Sequence, residues 1–435
     1  MVSVWEQWFN ENKLDPELEK TMIREYSYLL YIAGLFFHFR PKIIILSVAQ
    51  SVIFMIMISI HMVLMGITMF KATSFIGFSQ YMNFTSLCAV SLSLYILGLQ
   101  HRHTIIRQLS IINGDFYDYG DTFDGKATVK WKESLRKFKL IIVVGIPAYL
   151  LLIAASIMFR EYIDMALGYE GFAGDYKADI YQKTPIPLWY PFTITNDLMR
   201  VVVTLGQMLT AYALASSIGT GDVMMLFLGQ TLALQLRILA SAAHQLDDRA
   251  KRMYEKYYRE RFPRKPLTIS SSKRVAVCYK HCIRQLVEHH WVILEFYEAY
   301  VALIKWPTAM AFLNGSLVIA MSAIVAISGE AEVPSALISA AFLLIAEVVS
   351  MWLLCETGQQ VTNWSEELYS SFYEFNWPDI PKSNKMMILI LKEKIKEPML
   401  LKAGGMTPLN RDSFGTIMNT AYSYMNLMRA SDMRK

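Results

Sequence analysis

Cysteine is scarce in this sequence, and the residue patterns that an enzyme would need do not occur. None of the four cysteines, Cys88, Cys278, Cys282 and Cys355, lies in a segment that we assign to the outside of a cell, so no disulfide framework is expected. Accessible segments hold no nucleophile with a base and an orienting group, and no phosphate loop. Cys278 and Cys282 are separated by a helical turn containing His281, and we interpret them as a helical surface, not as a metal site. The sequence therefore predicts that the protein is not an enzyme, that it binds no metal or cofactor, and that it has no nucleic-acid partner.

Charge is also scarce, and apolar residues are abundant. Charged residues make up 18% of the 435 residues and hydrophobic residues 54%, with a mean hydropathy of +0.30. The N-terminus carries Glu6, Glu11 and Asp15 where a signal peptide would be basic, and the first long apolar run begins only at Ile43. Several such runs exceed 18 residues, which is long enough for a membrane-spanning helix. These properties predict an all-α, multi-pass protein of the plasma membrane.

Seven spans are predicted, at residues 43–66, 76–99, 138–159, 196–218, 307–328, 334–356 and 407–429. Residues 223–243 are apolar enough for an eighth span, but the basic stretch 249–284 would then have to lie on the opposite side. We interpret them as a buried continuation of the fourth helix. The corresponding regions are an N-terminal arm (1–42), four spans (43–218), a helical extension (219–306), two spans (307–356), an anchor segment (357–405) and a final helix with a short tail (406–435).

Lysine and arginine predict the orientation. The segments at 1–42, 101–139, 219–300 and 357–405 carry 32 of these residues, and the three segments on the other side carry 4. Because basic segments stay in the cytoplasm, we predict a cytoplasmic N-terminus, an extracellular C-terminus and a helical cytoplasmic anchor layer. A rhodopsin-like, G-protein-coupled receptor is the alternative, but it requires the opposite orientation. A secondary transporter is a third possibility, but the sequence has no internal repeat.

The last span is much more polar than the first. Only 10 of the 23 residues in 407–429 are apolar, against 18 of 23 in 43–65. Spacings of three and four place one set of its residues on a single helical face: Ser413, Thr416, Thr420, Ser423 and Leu427. A hydroxyl stripe in a membrane helix favours a water-filled pore, with the apolar Leu427 as a gate that closes by dewetting. The alternative is that these hydroxyls bond within their own helix or subunit.

The C-terminal third resembles the insect odorant receptors. The resemblance rests on an ordered set of residues over about 75 positions: Ser365, Leu368, 373–377 (Tyr-Glu-Phe-Asn-Trp), Pro398, Leu401, Ala403-Gly404, Phe414 and 422–424 (Tyr-Ser-Tyr). It implies a seven-helix subunit of a tetrameric, odorant-gated, non-selective cation channel in a sensory dendrite. The final helix would line the pore, Leu427 would occupy the gate position, and four subunits would meet in the anchor layer. The segment 219–300 and the C-terminus differ from the family's shared co-receptor, which implies a ligand-tuned subunit with that co-receptor, a small volatile odorant and membrane lipid as partners.

The resemblance implies an odorant site among the second, third, fourth and sixth spans, in their outer halves. Helical spacing then selects the candidate residues: Tyr81, Phe84, Thr85 and Cys88; Tyr149, Leu152, Ile153 and Ser156; Met199, Val203 and Gln207; Leu337, Ile338 and Phe342. Acidic residues of the 160–190 loop are expected to cap this site. Glu347 lies in the middle of the sixth span, where an acid is a functional candidate. The alternative, which we favour, is a protonated core acid that is hydrogen-bonded to Asn314 or Gln207.

Overall fold

The computed structural model describes residues 20, 41–72, 75–167, 184–259, 273–327, 334–375 and 380–432. Within these ranges the chain is almost entirely helical. The helices are α1 (Pro41–Lys71), α2 (Phe75–Gln100), α3 (Arg102–Asn113), α4 (Lys126–Met158), α5 (Arg160–Ala166), α6 (Asp197–His244), α7 (Leu246–Tyr254), α8 (Lys273–Ile327), α9 (Pro334–Ser371), α10 (Lys382–Lys394) and α11 (Arg411–Asp432). A 3₁₀ turn, Gly120–Thr122, precedes α4, and a π-helical turn, Glu255–Arg259, follows α7.

Six of these helices, α1, α2, α4, α6, α8 and α9, are long and apolar enough to cross a membrane. They contain the first six predicted spans apart from the end residues 159, 196 and 328, which confirms an all-α, multi-pass membrane protein. The final helix α11 does not meet the same apolarity, although its 22 residues extend over about 33 Å. A helix of this length and polarity needs protein or water along part of its surface.

The final helix begins later than predicted. Residues 407–410 are not helical, because Thr407–Pro408 forms a short antiparallel ladder (β2) with Lys402–Ala403 (β1). Gly404 and Gly405 make the turn between the two strands, with φ angles of 62° and 79° that side-chain-bearing residues rarely adopt. The Gly404 N–H donates to the Lys305 carbonyl of α8, so this hairpin is fixed to the membrane bundle just before α11 starts.

Helix α6 is most buried in its second half, beyond the predicted fourth span: 17 of residues 223–243 are buried, against 7 of residues 197–222. Helix α6 continues without interruption through residues 219–222, and the assignment of residues 223–243 to an extension outside the membrane stays a prediction. Gly219 and Gly221 do not break the helix, and they let neighbouring helices approach closely. A Cβ on Gly221 would lie 2.9 Å from the Leu94 side chain, and a Cβ on Gly219 would lie 3.2 Å from the Leu150 side chain. A helix that is apolar on all sides is therefore surrounded by its neighbours.

The helical extension outside the predicted spans has its own core. In it Tyr119 is hydrogen-bonded to His289 at 2.8 Å, and the fully buried Arg249 guanidinium lies 4.4 Å from the centre of the Tyr119 ring. Cys278 and Cys282 are buried in this core, which corrects the prediction that they lie on a helical surface. This burial could not be predicted from the sequence, because it results from the packing of α7 and α10 against that side of the long helix α8.

Epitope tags test the orientation, which stays a prediction. On intact cells, a tag after Lys435 should be labelled and a tag before Met1 should not, because 32 basic residues favour the cytoplasmic side against 4 on the other. After permeabilisation both tags should be labelled, which controls for access. Labelling of the Met1 tag alone on intact cells would favour the rhodopsin-like alternative.

Candidate functional site

A cavity of about 380 Å³ lies between the helices of the membrane bundle. Most of its lining is apolar. The contributing residues are His61 and Met65 of α1; Phe84 and Leu87 of α2; 141, 142, 145, 146, 149, 150, 153, 154, 157 and 158 of α4; Ile186; 207, 210, 211, 214, 215, 218 and 222 of α6; Val318 of α8; and 343, 345, 346, 347, 349, 350 and 353 of α9. This size and lining suit a small, predominantly apolar molecule.

Two polar clusters interrupt the apolar wall. Near one end, Thr210 Oγ1 is hydrogen-bonded to His61 Nδ1 at 3.0 Å. Further along α6 and α9 lie two carboxyl groups, Asp222 and Glu347, and Ser350 Oγ donates to Asp222 Oδ2 at 3.2 Å. The cavity therefore has a long apolar section and one acidic end.

The segment 184–190 covers the end of the cavity opposite the acids. Gln207 pairs with the backbone of Ile186: its Oε1 accepts the Ile186 N–H at 2.9 Å, and its Nε2 donates to the Ile186 carbonyl at 2.8 Å. The Tyr81 hydroxyl donates to the Pro187 carbonyl at 2.6 Å, and the Trp189 N–H donates to Thr68. Three helices thus hold this segment through its backbone groups, and Ile186 itself lines the cavity.

The acidic residues predicted to cap the site are only partly described. Glu170, Asp175 and Asp179 lie outside the described residues, and so does the side chain of Glu161. Asp164 is buried and accepts two hydrogen bonds from Ser335, one from the backbone N–H and one from the hydroxyl. It therefore stabilises the N-terminal end of α9.

Four of the predicted ligand residues line the cavity: Phe84, Tyr149, Ile153 and Gln207. The other members of that set do not: Tyr81, Thr85, Cys88, Leu152, Ser156, Met199, Val203, Leu337, Ile338 and Phe342. Several of these have other contacts. Phe342 accepts a hydrogen bond from the Tyr149 hydroxyl at 3.0 Å, and Cys88 Sγ contacts Met65 Sδ at 3.9 Å. The role of the whole set in ligand binding stays a prediction.

The cavity extends deeper along α6 and α9 than helical spacing suggested. On α9 its lining starts at Leu343, whereas Leu337 is 41% exposed near the start of the helix. Asp222 was assigned to the extension, and no feature of its sequence neighbourhood indicates that it meets Glu347. The expected hydrogen bond from Asn314 or Gln207 to Glu347 is wrong: no described residue bonds to Glu347, and the Gln207 amide is engaged by Ile186 and Tyr190.

Helix α9 also contacts the final helix. Met351 packs in a small cluster with Ile417 and Ala421, and the Trp352 ring meets Phe414 edge-on at 5.3 Å. At the start of α11, the Arg411 guanidinium donates to both Glu356 oxygens, at 2.8 and 3.0 Å. Helix α9 therefore supplies both a wall of the cavity, through Glu347, Ser350 and Leu353, and part of the packing surface of α11, which it shares with Ile319 and Ala320 of α8.

The predicted pore residues lie mainly on the uncovered side of α11. Thr416, Ser423 and Leu427 are exposed, Leu427 to 68%, Thr420 is partly exposed and Ser413 is buried. Three hydroxyls donate to carbonyls one turn earlier: Thr416 to Asp412, Thr420 to Thr416 and Ser423 to Asn419. This internal bonding was the alternative to a pore, but it leaves hydroxyl lone pairs free on the uncovered face. The pore assignment stays a prediction.

These observations define a multi-pass membrane protein with a mainly apolar cavity between its helices and a polar final helix. Residues 130–422 match the family described as 7tm Odorant receptor. Because the match covers more than half of the chain, the chain belongs to this family, as the resemblance predicted.

Individual relatives match more limited segments. Odorant receptor 46a, isoform B, of Drosophila melanogaster is 26% identical over 34% of this chain and 39% of its own length. Odorant receptor Or2 of Anopheles gambiae is 20% identical over 34% of this chain and 38% of its own length. Odorant receptor 23a of Drosophila melanogaster is 24% identical over 57% of this chain and 59% of its own length. The matches span less than two thirds of each of these relatives.

The fold is similar to that of the insect olfactory receptor OR5 from Machilis hrabei in complex with eugenol. The superposition has a TM-score of 0.73 at 12% sequence identity and covers 95% of this chain and 99% of that one. The OR5 structure described without that ligand gives a TM-score of 0.68 at 13% sequence identity, and the superposition covers 94% of this chain and 97% of that one. The two chains therefore share a fold along nearly their whole length.

Proposed function

We propose that this chain is the odorant-binding subunit of a ligand-gated, non-selective cation channel that it forms with a separate odorant receptor co-receptor. The observation that carries the proposal is the position of α9, which is at once a wall of the 380 Å³ cavity and, together with α8, a support of α11. Membership of the odorant receptor family supports a volatile ligand.

Binding in this cavity is expected to depend mainly on the hydrophobic effect. An apolar molecule gains about 25 cal/mol for each Å² of apolar surface that it removes from water. The segment 184–190 closes one end, so a bound molecule is shielded from solvent on that side. The few polar groups then determine orientation and selectivity.

Opening follows if the ligand binds better to the conformation with the wider pore. A displacement of α9 by the ligand is transmitted to α11 because Met351, Trp352 and Glu356 contact Ile417, Phe414 and Arg411. In a tetrameric ring, the exposed face of α11 would line the pore and Leu427 would form its apolar constriction.

Recordings from a heterologous cell test the proposal. Expression with an odorant receptor co-receptor should give odorant-evoked cation currents, and expression without the co-receptor should give none. The currents should develop without added nucleotides, because no second messenger is involved. Evoked currents that require a G protein would contradict the channel proposal, as would the absence of current from a complex present at the surface.

Tyr149 provides a test of the cavity. Tyr149→Ala removes an aromatic wall and the hydroxyl that donates to Phe342, so the half-maximal concentration of an activating odorant should rise about 10- to 100-fold. Tyr162→Ala is the matched control, since Tyr162 is 67% exposed on α5 and does not line the cavity. Equal dose–response curves for Tyr149→Ala and the unmodified complex, at equal surface density, would exclude this cavity as the odorant site.

Tyr81→Ala is expected to act differently. Tyr81 does not line the cavity but holds the segment 184–190 through Pro187. Its loss should loosen the cover and lower sensitivity to all activating odorants by a similar factor, whereas Tyr149→Ala should change their rank order. Dose–response curves for a panel of odorants of different shapes distinguish the two effects. An altered rank order in Tyr81→Ala alone would mean that the ligand contacts that side of α2.

A further inference from the structure

We propose that the acidic end of the cavity, formed by Asp222 and Glu347, makes this receptor selective for small apolar amines. The inference rests on the proposed odorant site and specifies the ligand class for it. It requires an ammonium group at one end of the cavity and an apolar chain along the rest.

The two acids face the same free space. Both line the 380 Å³ cavity, and both also line an adjoining cavity of about 70 Å³. Ser350 is the partner of Asp222. Glu347 makes no hydrogen bond or ion pair to any described residue, so its two oxygens are available to a molecule in the cavity.

No protein cation compensates these acids within the described residues. Neither cavity has a lysine or arginine in its lining, and the imidazole of His61 is bonded to Met57 and Thr210. A carboxylate held away from water is costly unless a cation or several donors satisfy it. A ligand ammonium supplies a positive charge and three N–H donors, enough for both acids.

Gly315 of α8 lies close to Glu347. A Cβ on Gly315 would be 2.8 Å from Glu347 Oε1 and 2.5 Å from Met351 Cε, so both side-chain ends would have to move to admit a larger residue there. Asn314, next to it, lines the smaller cavity and offers a further polar group. Most of the remaining lining is apolar, which favours an apolar chain on the rest of the ligand.

A matched ligand series on the unmodified complex is the first test. The co-expressed receptor is challenged with hexylamine, 1-hexanol and methyl pentyl ether, which have similar length and differ in charge and in donors. Hexylamine should be the most potent by about tenfold or more, the factor typical of a charged hydrogen bond, and the ether the weakest. Equal potency of the three, or no response to hexylamine while other odorants open the channel, would overturn the amine proposal and leave the proposed function intact.

Substitutions of the acids are the second test. Glu347→Gln and Asp222→Asn keep the side-chain size but remove the charge, and each should raise the half-maximal concentration of hexylamine about tenfold or more while changing that of 1-hexanol less than about threefold. Glu366→Gln, on the exposed side of α9, is the control and should change neither. An equal loss of sensitivity to hexylamine and to 1-hexanol would mean that the acids maintain the structure of the cavity and do not bind the ammonium group. If a variant does not reach the surface, the ligand series decides alone. A channel at the surface that no odorant opens would instead contradict the proposed function.

Discussion

Replacing Leu427 with serine should raise the current through the complex in the absence of any odorant. Leu427 is the last residue of the hydroxyl stripe on α11, and its side chain is 68% exposed in the single chain. In a ring of subunits such side chains would meet and exclude water from the narrowest part of the pore. Burying a leucine side chain stabilises the closed state by about 1.5–3 kcal/mol, so its loss shifts the closed–open equilibrium about 10- to 100-fold.

The basal current is measured at matched surface density, with the same complex as reference. A smaller rise than this range is expected, because the co-receptor subunits keep their own constriction. Met428→Ser is the control, since residue 428 lies about 100° further around the helix. An unchanged basal current in Leu427→Ser together with a raised one in Met428→Ser would mean that the stripe packs within the protein and that another face lines the pore.

Replacing Gly358 with alanine should abolish odorant-evoked current. Gly358 of α9 lies against the backbone just before α11: a Cβ there would be 2.2 Å from the Leu409 carbonyl oxygen and 2.5 Å from Leu409 Cβ. Backbone atoms cannot relieve such a clash by changing rotamer. Overpacking of this kind costs about 1–3 kcal/mol or more and displaces the hairpin formed by β1 and β2.

The consequences of Gly358→Ala should reach α11, because the Leu409 N–H is paired with the Leu401 carbonyl and Asn410 caps the helix through the Ser413 N–H. Surface labelling and evoked current should both fall. Gly206→Ala is the matched control: Gly206 lies inside α6, nothing is within 4 Å of its added Cβ, and alanine favours a helix by about 0.5–1 kcal/mol. Normal current in Gly358→Ala would show that this contact is not needed for gating.

The family resemblance also has a structural basis at this junction. Ser365 Oγ accepts the Met399 N–H at 3.0 Å, Leu401 and Ala403 are buried, and Phe414 meets Trp352. These residues were recognised by order and spacing, without knowledge of their contacts. They hold the anchor segment and the start of α11 on α9. The sequence thus identified the family through residues that fix the final helix and not through the cavity.

The helical class, six of the spans and the polar character of the last helix followed from the sequence alone. These properties are sums over neighbouring residues: transfer energies add along a run, and hydroxyl spacing along 413–427 is fixed by the helical repeat. The sequence also singled out Glu347 by its depth in an apolar run.

Only the tertiary structure decided where the cavity lies and which residues meet in it. Asp222 and Glu347 are 125 positions apart in the chain, and Gln207 pairs with the backbone of Ile186 instead of with Glu347. Gly221, Gly315 and Gly358 have their roles because another helix or a hairpin approaches at that point. Such contacts depend on the rotation and depth of two segments at once, and hydropathy and periodicity describe each segment separately.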